Sequence, residues 1–156
     1  NNNGRPEESE QAFLRAVALN PSYESAWVNL GYVQCEIKKY SQAIESLKRA
    51  LQLNPRSEEA FCNLGVVFMR SPDLAMAERM LRQAISCNAQ YVNAYSNLAI
   101  CLSQMGRLSE SAQVLHRMNE IFPAIPLARQ RLAMLYNAVK QPEVARRFWK
   151  EPVVEG

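Results

Sequence analysis

The chain has 156 residues, of which 48% are apolar and 21% charged, and its formal net charge is +3. This size and apolar content suit a single domain with a continuous core. The sequence has no apolar run long enough to span a membrane, which takes about 18 residues or more. The small positive excess lies entirely at one end, and no basic stripe continues along the chain, so a nucleic-acid-binding surface is not expected.

The first predicted element is a helix over about 7–19, within residues 1–23. Residues 4–11 share glycine, arginine, glutamate, serine and glutamine with residues 106–113, an offset of 102 positions, or three periods of 34. Residues 1–23 therefore correspond to the second half of a repeating unit. We expect the chain to be a fragment of a longer protein, or one whose start has been removed.

The first complete unit covers residues 24–57 and is predicted to contain two helices. Trp27 and Leu30 lie three residues apart, on one stripe of the first helix. Gly31, beside that stripe, allows the second helix to approach closely, although glycine costs about 1 kcal/mol relative to alanine within a helix. Pro55 ends the second helix because proline disfavours helical geometry in the preceding residue.

Two more complete units, 58–91 and 92–125, repeat this pattern. The aromatic, leucine and small positions recur as Phe61, Leu64 and Gly65 and then as Tyr95, Leu98 and Ala99. A closing proline is found at 123, whereas the corresponding position in the middle unit is Ala89. Because a unit this short cannot bury its apolar face alone, we expect neighbouring units to stack.

Residues 126–156 form an atypical last unit, with helices predicted over 126–139 and 142–150. Arg129 stands at the aromatic position and Ala133 at the glycine position, a departure that is typical of a capping repeat. This unit also carries the whole positive excess of the chain. The excess would attract an acidic partner, or it is simply a solvated helix face.

The recurring positions resemble the tetratricopeptide repeat (TPR) family, whose signature is W-x2-L-G-x2-Y, then A-x3-F and a closing proline. The resemblance covers nearly the whole of residues 1–156. It implies an all-α fold, a right-handed α-solenoid of antiparallel helix pairs (a TPR superhelix), in one domain. It also implies a non-catalytic scaffold for protein–protein interaction, whose first helices line a concave groove that binds a peptide segment of a partner.

One periodic feature is polar. Asn29, Asn63 and Asn97 lie 34 residues apart, each two residues before the small position, although asparagine is a poor helix former. The resemblance implies that they form a row along the groove. A carboxamide both donates and accepts, so such a row can bond the backbone of an extended peptide. Alternatively, these side chains bond each other or the adjacent helix, which would stabilise the stack without a ligand.

The same register assigns other residues to the groove. Arg131 continues the asparagine row in the last unit. The predicted peptide-binding set is completed by Tyr32, Val66, Ile100 and Met134. The register places further residues on the same surface, among them Val28, Cys35, Cys62, Arg70, Ser96, Ser103 and Gln104. The lysines of the family's carboxylate clamp are absent, so a receptor for chaperone tails is not expected.

We predict no catalytic residue, metal site or cofactor. His116 is the only histidine, and the cysteines at 35, 62, 87 and 101 lack zinc-ligand spacing. Free thiols are expected, which favours a reducing, cytoplasmic compartment. Phosphate-binding loops and dinucleotide fingerprints are missing from the sequence.

Three alternatives stay open alongside a free-standing scaffold. The segment is the substrate-targeting part of a larger enzyme, or it is a bacterial pilus or secretion assembly factor. Self-association is also possible through the apolar face of helix 7–19, which lacks its in-chain partner.

Overall fold

A computed structural model describes residues 4–138, with side chains as far as Leu135. Within this part the chain forms eight α-helices: α1 (Arg5–Leu19), α2 (Glu24–Glu36), α3 (Tyr40–Leu53), α4 (Glu58–Arg70), α5 (Leu74–Cys87), α6 (Val92–Gln104), α7 (Leu108–Ile121) and α8 (Leu127–Ala138). The helix predicted over 142–150 lies outside the described residues. Helix α1 begins two residues before the predicted start, with a proline in its first turn, where a missing N–H group costs nothing.

The helices pack in sequential pairs. The pairs α2–α3, α4–α5 and α6–α7 correspond to the predicted units, and α1 and α8 pack on the two ends of this stack. Helix α4 also contacts α2 and α6, so the first helices of successive units lie side by side. We call the surface formed by α2, α4, α6 and α8 the first-helix face, and that formed by α1, α3, α5 and α7 the second-helix face. The predicted all-α arrangement of stacked helix pairs is confirmed.

Close approach within the pairs depends on two glycines. A Cβ atom at Gly31 would lie 2.5 Å from Cγ of Leu47, and one at Gly65 would lie 2.5 Å from Cγ of Leu81. Both leucines are completely buried. The small position therefore exists because the leucine of the partner helix occupies the space that a side chain would need.

Aromatic residues fix the turn between units. Nε1 of Trp27 donates to the carbonyl oxygen of Pro21 at 2.9 Å, and the hydroxyl of Tyr95 donates to that of Ala89 at 2.9 Å. The acceptor is a backbone carbonyl, which every residue supplies. The contact is therefore kept at Ala89, where the repeat has lost its proline.

Ion pairs connect neighbouring second helices at intervals of two units. Nζ of Lys39 lies 2.7 Å from a carboxylate oxygen of Glu10, and Nη1 of Arg107 lies 2.6 Å from one of Glu78. In each pair the two residues are 29 positions apart. The unit between them has Ile44 at the carboxylate position, so this feature alternates along the second-helix face.

The turn between α2 and α3 holds Lys38 at a φ of 64°, and the equivalent residue between α6 and α7 is Gly106 at a φ of 78°. A side chain makes this left-handed geometry unfavourable by about 1–2 kcal/mol, and glycine avoids that cost. We expect Lys38→Gly to raise the free energy of unfolding by about 0.5–1 kcal/mol, since the greater freedom of glycine in the unfolded chain offsets part of the gain.

Urea denaturation followed by far-UV circular dichroism measures this change. Gly106→Ala is the matched control, and its free energy of unfolding should fall because alanine is strained at that φ. A glycine variant no more stable than the parent chain would contradict the proposed strain at Lys38.

Candidate functional site

The three predicted asparagines lie on α2, α4 and α6 of the first-helix face. Asn29 is exposed, and Asn63 and Asn97 are partly buried. Nδ2 of Asn97 donates to Sγ of Cys62 at 3.5 Å, whereas Asn29 and Asn63 form no side-chain hydrogen bond with any residue between 4 and 138. Bonding to the adjacent helix therefore occurs at Asn97, and the carboxamides on α2 and α4 remain available.

The other predicted site residues divide into two groups. Tyr32 is 54% exposed on α2, and Val66 packs on α4 against the core shared by α2, α3 and α4. Ile100, Arg131 and Met134 line one cavity of about 400 Å³ between α6 and α8. The structure thus brings three predicted residues together and leaves Tyr32 and Val66 elsewhere on the same face.

The cavity has one wall that the repeat pattern did not identify. Helix α7 contributes Ser111 and Leu115 to the lining. Ser103 and Gln104, which the register placed on this face, complete the lining together with Ala99 and Leu135. Ala99 carries a methyl group where α2 and α4 have glycine, and at those glycines the space of a Cβ atom is filled by Leu47 and Leu81. This alanine is the sequence signal that could have located the cavity.

Four residues that the register placed on the groove surface are buried, and that part of the prediction is wrong. Val28, Cys35, Cys62 and Ser96 are between 2% and 8% exposed. The cause is the lateral packing of the first helices against one another. Cys62, for example, is covered by Asn97 of the next unit.

Arg131 carries a buried donor that no described residue satisfies. Its Nε atom is buried and has no hydrogen-bond partner among residues 4–138. Arg70, which the register places on the same face, is held by Glu36 at 2.9 Å. Within residues 4–138, Arg131 therefore brings a buried N–H group without an acceptor to the cavity lining, while the charge on α4 is neutralised by its neighbour.

Three of the four cysteines are buried thiols that are not activated as nucleophiles. Burial raises the pKa of the thiols of Cys35, Cys62 and Cys101, which keeps them protonated near neutral pH. All four cysteines are free thiols, as predicted. In the described region, histidine, cysteine and acidic side chains do not come together in a group of three that could hold a metal ion.

Between residues 4 and 138, every helix is too short or too polar to cross a membrane.

Two further hollows lie on the second-helix face. One of about 530 Å³ separates α1 from α3 above Trp27 and Leu30, and one of about 220 Å³ separates α5 from α7 above Tyr95 and Leu98. Their floors are equivalent residues two units apart. These hollows lie between successive second helices, whereas the cavity beside Arg131 lies between first helices.

Comparison with known proteins places the chain among TPR proteins. Residues 12–126 match the family of the cytochrome c-type biogenesis protein H TPR domain. No curated protein matches the chain closely enough to be counted.

Solved structures show the same fold. The crystal structure of MamA is 24% identical, with a TM-score of 0.81, and the match covers 96% of this chain and 87% of that one. PilF from Pseudomonas aeruginosa is 18% identical, with a TM-score of 0.81, covering 94% and 67%. YrrB, described as a TPR protein with an unusual peptide-binding site, is 21% identical, with a TM-score of 0.69, covering 93% and 75%. These similarities confirm the predicted TPR α-solenoid.

Proposed function

Since the chain belongs to the family of the cytochrome c-type biogenesis protein H TPR domain, we propose that it is a non-catalytic module that holds an extended peptide segment of a partner protein. The binding surface is the first-helix face. The observation that carries the proposal is the row of carboxamides on α2, α4 and α6, of which those of Asn29 and Asn63 lack an internal partner. YrrB, a protein of the same fold, is described as having a peptide-binding site.

The chemistry of the row fits backbone recognition. An extended strand presents N–H and C=O groups along its edge, and a carboxamide satisfies one of each. Each such hydrogen bond contributes about 0.5–1.5 kcal/mol net. Asn97, already a donor to Cys62, keeps its amide oxygen as an acceptor for the ligand. The module therefore holds main chain, and selectivity must come from the pockets beside the row.

The experiment begins with a selection. Random twelve-residue segments, flanked by constant sequence at both ends, are selected on immobilised chain 1–156, and a recovered segment is made as a capped synthetic peptide. Calorimetry then compares the parent chain with an Asn63→Ala/Asn97→Ala variant. We expect the dissociation constant to rise at least tenfold, because the variant loses several backbone hydrogen bonds.

The matched control removes carboxamides from the other face. Gln42→Ala/Gln113→Ala changes two exposed amides on α3 and α7, and its affinity should stay within twofold of the parent. Circular dichroism must show equal helicity for both variants. Equal affinity of the asparagine variant and the parent chain, at equal helicity, would refute the groove mechanism.

A further inference from the structure

We propose that the cavity between α6 and α8 takes an acidic side chain of the bound segment, together with an apolar side chain two positions away from it. This inference rests on the proposed function and names the peptide that the groove prefers. Two observations carry it. Arg131 has no acceptor within the described chain, and it lines the same cavity as Ile100 and Met134.

The positive side of the cavity selects a carboxylate. A guanidinium is a rigid planar fork of donors that matches carboxylate geometry, and it stays charged at any physiological pH. A buried N–H group without a partner is unfavourable, so an acceptor brought by a ligand gains more here than at an exposed arginine. Arg70 does not compete for that acceptor because it is already paired with Glu36.

The other side of the cavity selects an apolar group. Ile100, Leu115, Met134 and Leu135 supply hydrocarbon, and Met134 is 65% exposed and so free to adapt to a ligand. A cavity of about 400 Å³ exceeds what one carboxylate needs. The apolar wall therefore calls for a second side chain from the same segment.

The spacing follows from extended backbone. Side chains of an extended peptide point to the same side at every second residue, about 6.6–6.8 Å apart. A segment held by carboxamides on successive first helices would present residues i and i+2 to the cavity together. The proposal commits to an internal acidic residue, because main-chain capture by the asparagine row requires no chain end.

The selection described above gives the first test. Segments recovered on the parent chain should be enriched in Asp or Glu two residues from Leu, Ile, Met or Phe. The enrichment in acid should disappear when the selection is repeated on Arg131→Gln. Arg129→Gln, which removes a charge from the same helix but not from the cavity lining, should leave it unchanged.

Fluorescence anisotropy with a capped acidic peptide and its Glu→Gln twin gives the second test. On the parent chain the twin should bind at least tenfold more weakly, whereas on Arg131→Gln the two should agree within twofold. Arg131→Lys should recover part of the preference, because the charge returns without the fork. The difference in affinity between the acidic peptide and its Gln twin should also decrease as NaCl rises from about 0.05 to 0.5 M, since salt screens the attraction between the carboxylate and Arg131.

The outcomes separate the two proposals. Segments that depend on Asn63 and Asn97 but show no acidic preference would overturn this inference and leave the proposed function intact. The inference would also be overturned if the Gln twin regained affinity only when its carboxyl end was left free. The bound carboxylate would then come from a chain terminus and not from an acidic side chain. Failure to select any segment on the parent chain would overturn both.

Discussion

Leu81→Ala should lower the free energy of unfolding by about 2–5 kcal/mol, one of the largest effects expected of any single substitution in this chain. Leu81 is completely buried between α4 and α5, and its Cγ atom occupies the space beside Gly65. Truncation leaves a cavity that two helices, each fixed by neighbouring units, cannot close. Chemical denaturation measures the loss, and Leu19→Ala, which alters a side chain that is 87% exposed, should stay within about 0.5 kcal/mol of the parent.

Because Gly65 and Leu81 are in contact, the effect of Gly65→Ala on the free energy of unfolding should change sign when Leu81 is truncated. In the parent chain, Gly65→Ala forces a methyl against Leu81, and overpacking costs about 1–3 kcal/mol against a helix-propensity gain of about 1 kcal/mol. In the Leu81→Ala background the obstructing atoms are gone, so the same substitution should stabilise. A double-mutant cycle gives the coupling energy directly. Equal effects of Gly65→Ala in both backgrounds would show that the two side chains do not compete for space.

Lys39→Ala should lower the free energy of unfolding by about 1–3 kcal/mol. The side chain of Glu10 is only 4% exposed, and Nζ of Lys39 lies 2.7 Å from it, whereas the side chain of Lys39 is 46% exposed. Removing the lysine leaves a carboxylate that water reaches poorly. The loss stays below the 3–5 kcal/mol of a fully buried pair because the lysine end is partly solvated.

Substitution of the other partner should have a much smaller effect. Glu10→Leu removes the buried charge instead of stranding it, and Ile44 already occupies the equivalent position in α3. We expect its free energy of unfolding to remain within about 1 kcal/mol of the parent. Lys48→Ala, at an exposed lysine of α3, is the charge-matched control. If Lys39→Ala lowered the free energy of unfolding no more than Lys48→Ala does, the ion pair with Lys39 would not be needed to stabilise the buried Glu10.

Much of the fold could be predicted because the repeat fixes local chemistry. The units predicted to start at 24, 58 and 92 begin at the first residues of α2, α4 and α6. Gly31 was assigned to close helix contact, and Leu47 is found against it. These positions are set by interactions within one unit, where spacing along the chain reports directly on distance.

Contacts between units were harder to predict. Cys62 was placed in the groove, although the next first helix covers it, because a 34-residue period does not reveal how far neighbouring helices overlap. Ile100, Arg131 and Met134 were assigned to the groove surface, but a cavity that they share with a wall on α7 was not predicted. The ion pairs Glu10–Lys39 and Glu78–Arg107 were also missed, although a carboxylate and a base 29 residues apart recur two units later.

The alternation of these ion pairs limits how such a chain can gain or lose length. Deleting residues 24–57 would bring Glu10 opposite Asp73, and deleting 58–91 would bring Ile44 opposite Arg107. The first excision sets like charges across a junction between second helices, and the second leaves Arg107 without Glu78, its acidic partner. Deleting both units together joins Glu10 to Arg107 and restores attraction. Genetic duplication or excision in this protein therefore preserves matched junctions in steps of two units rather than one.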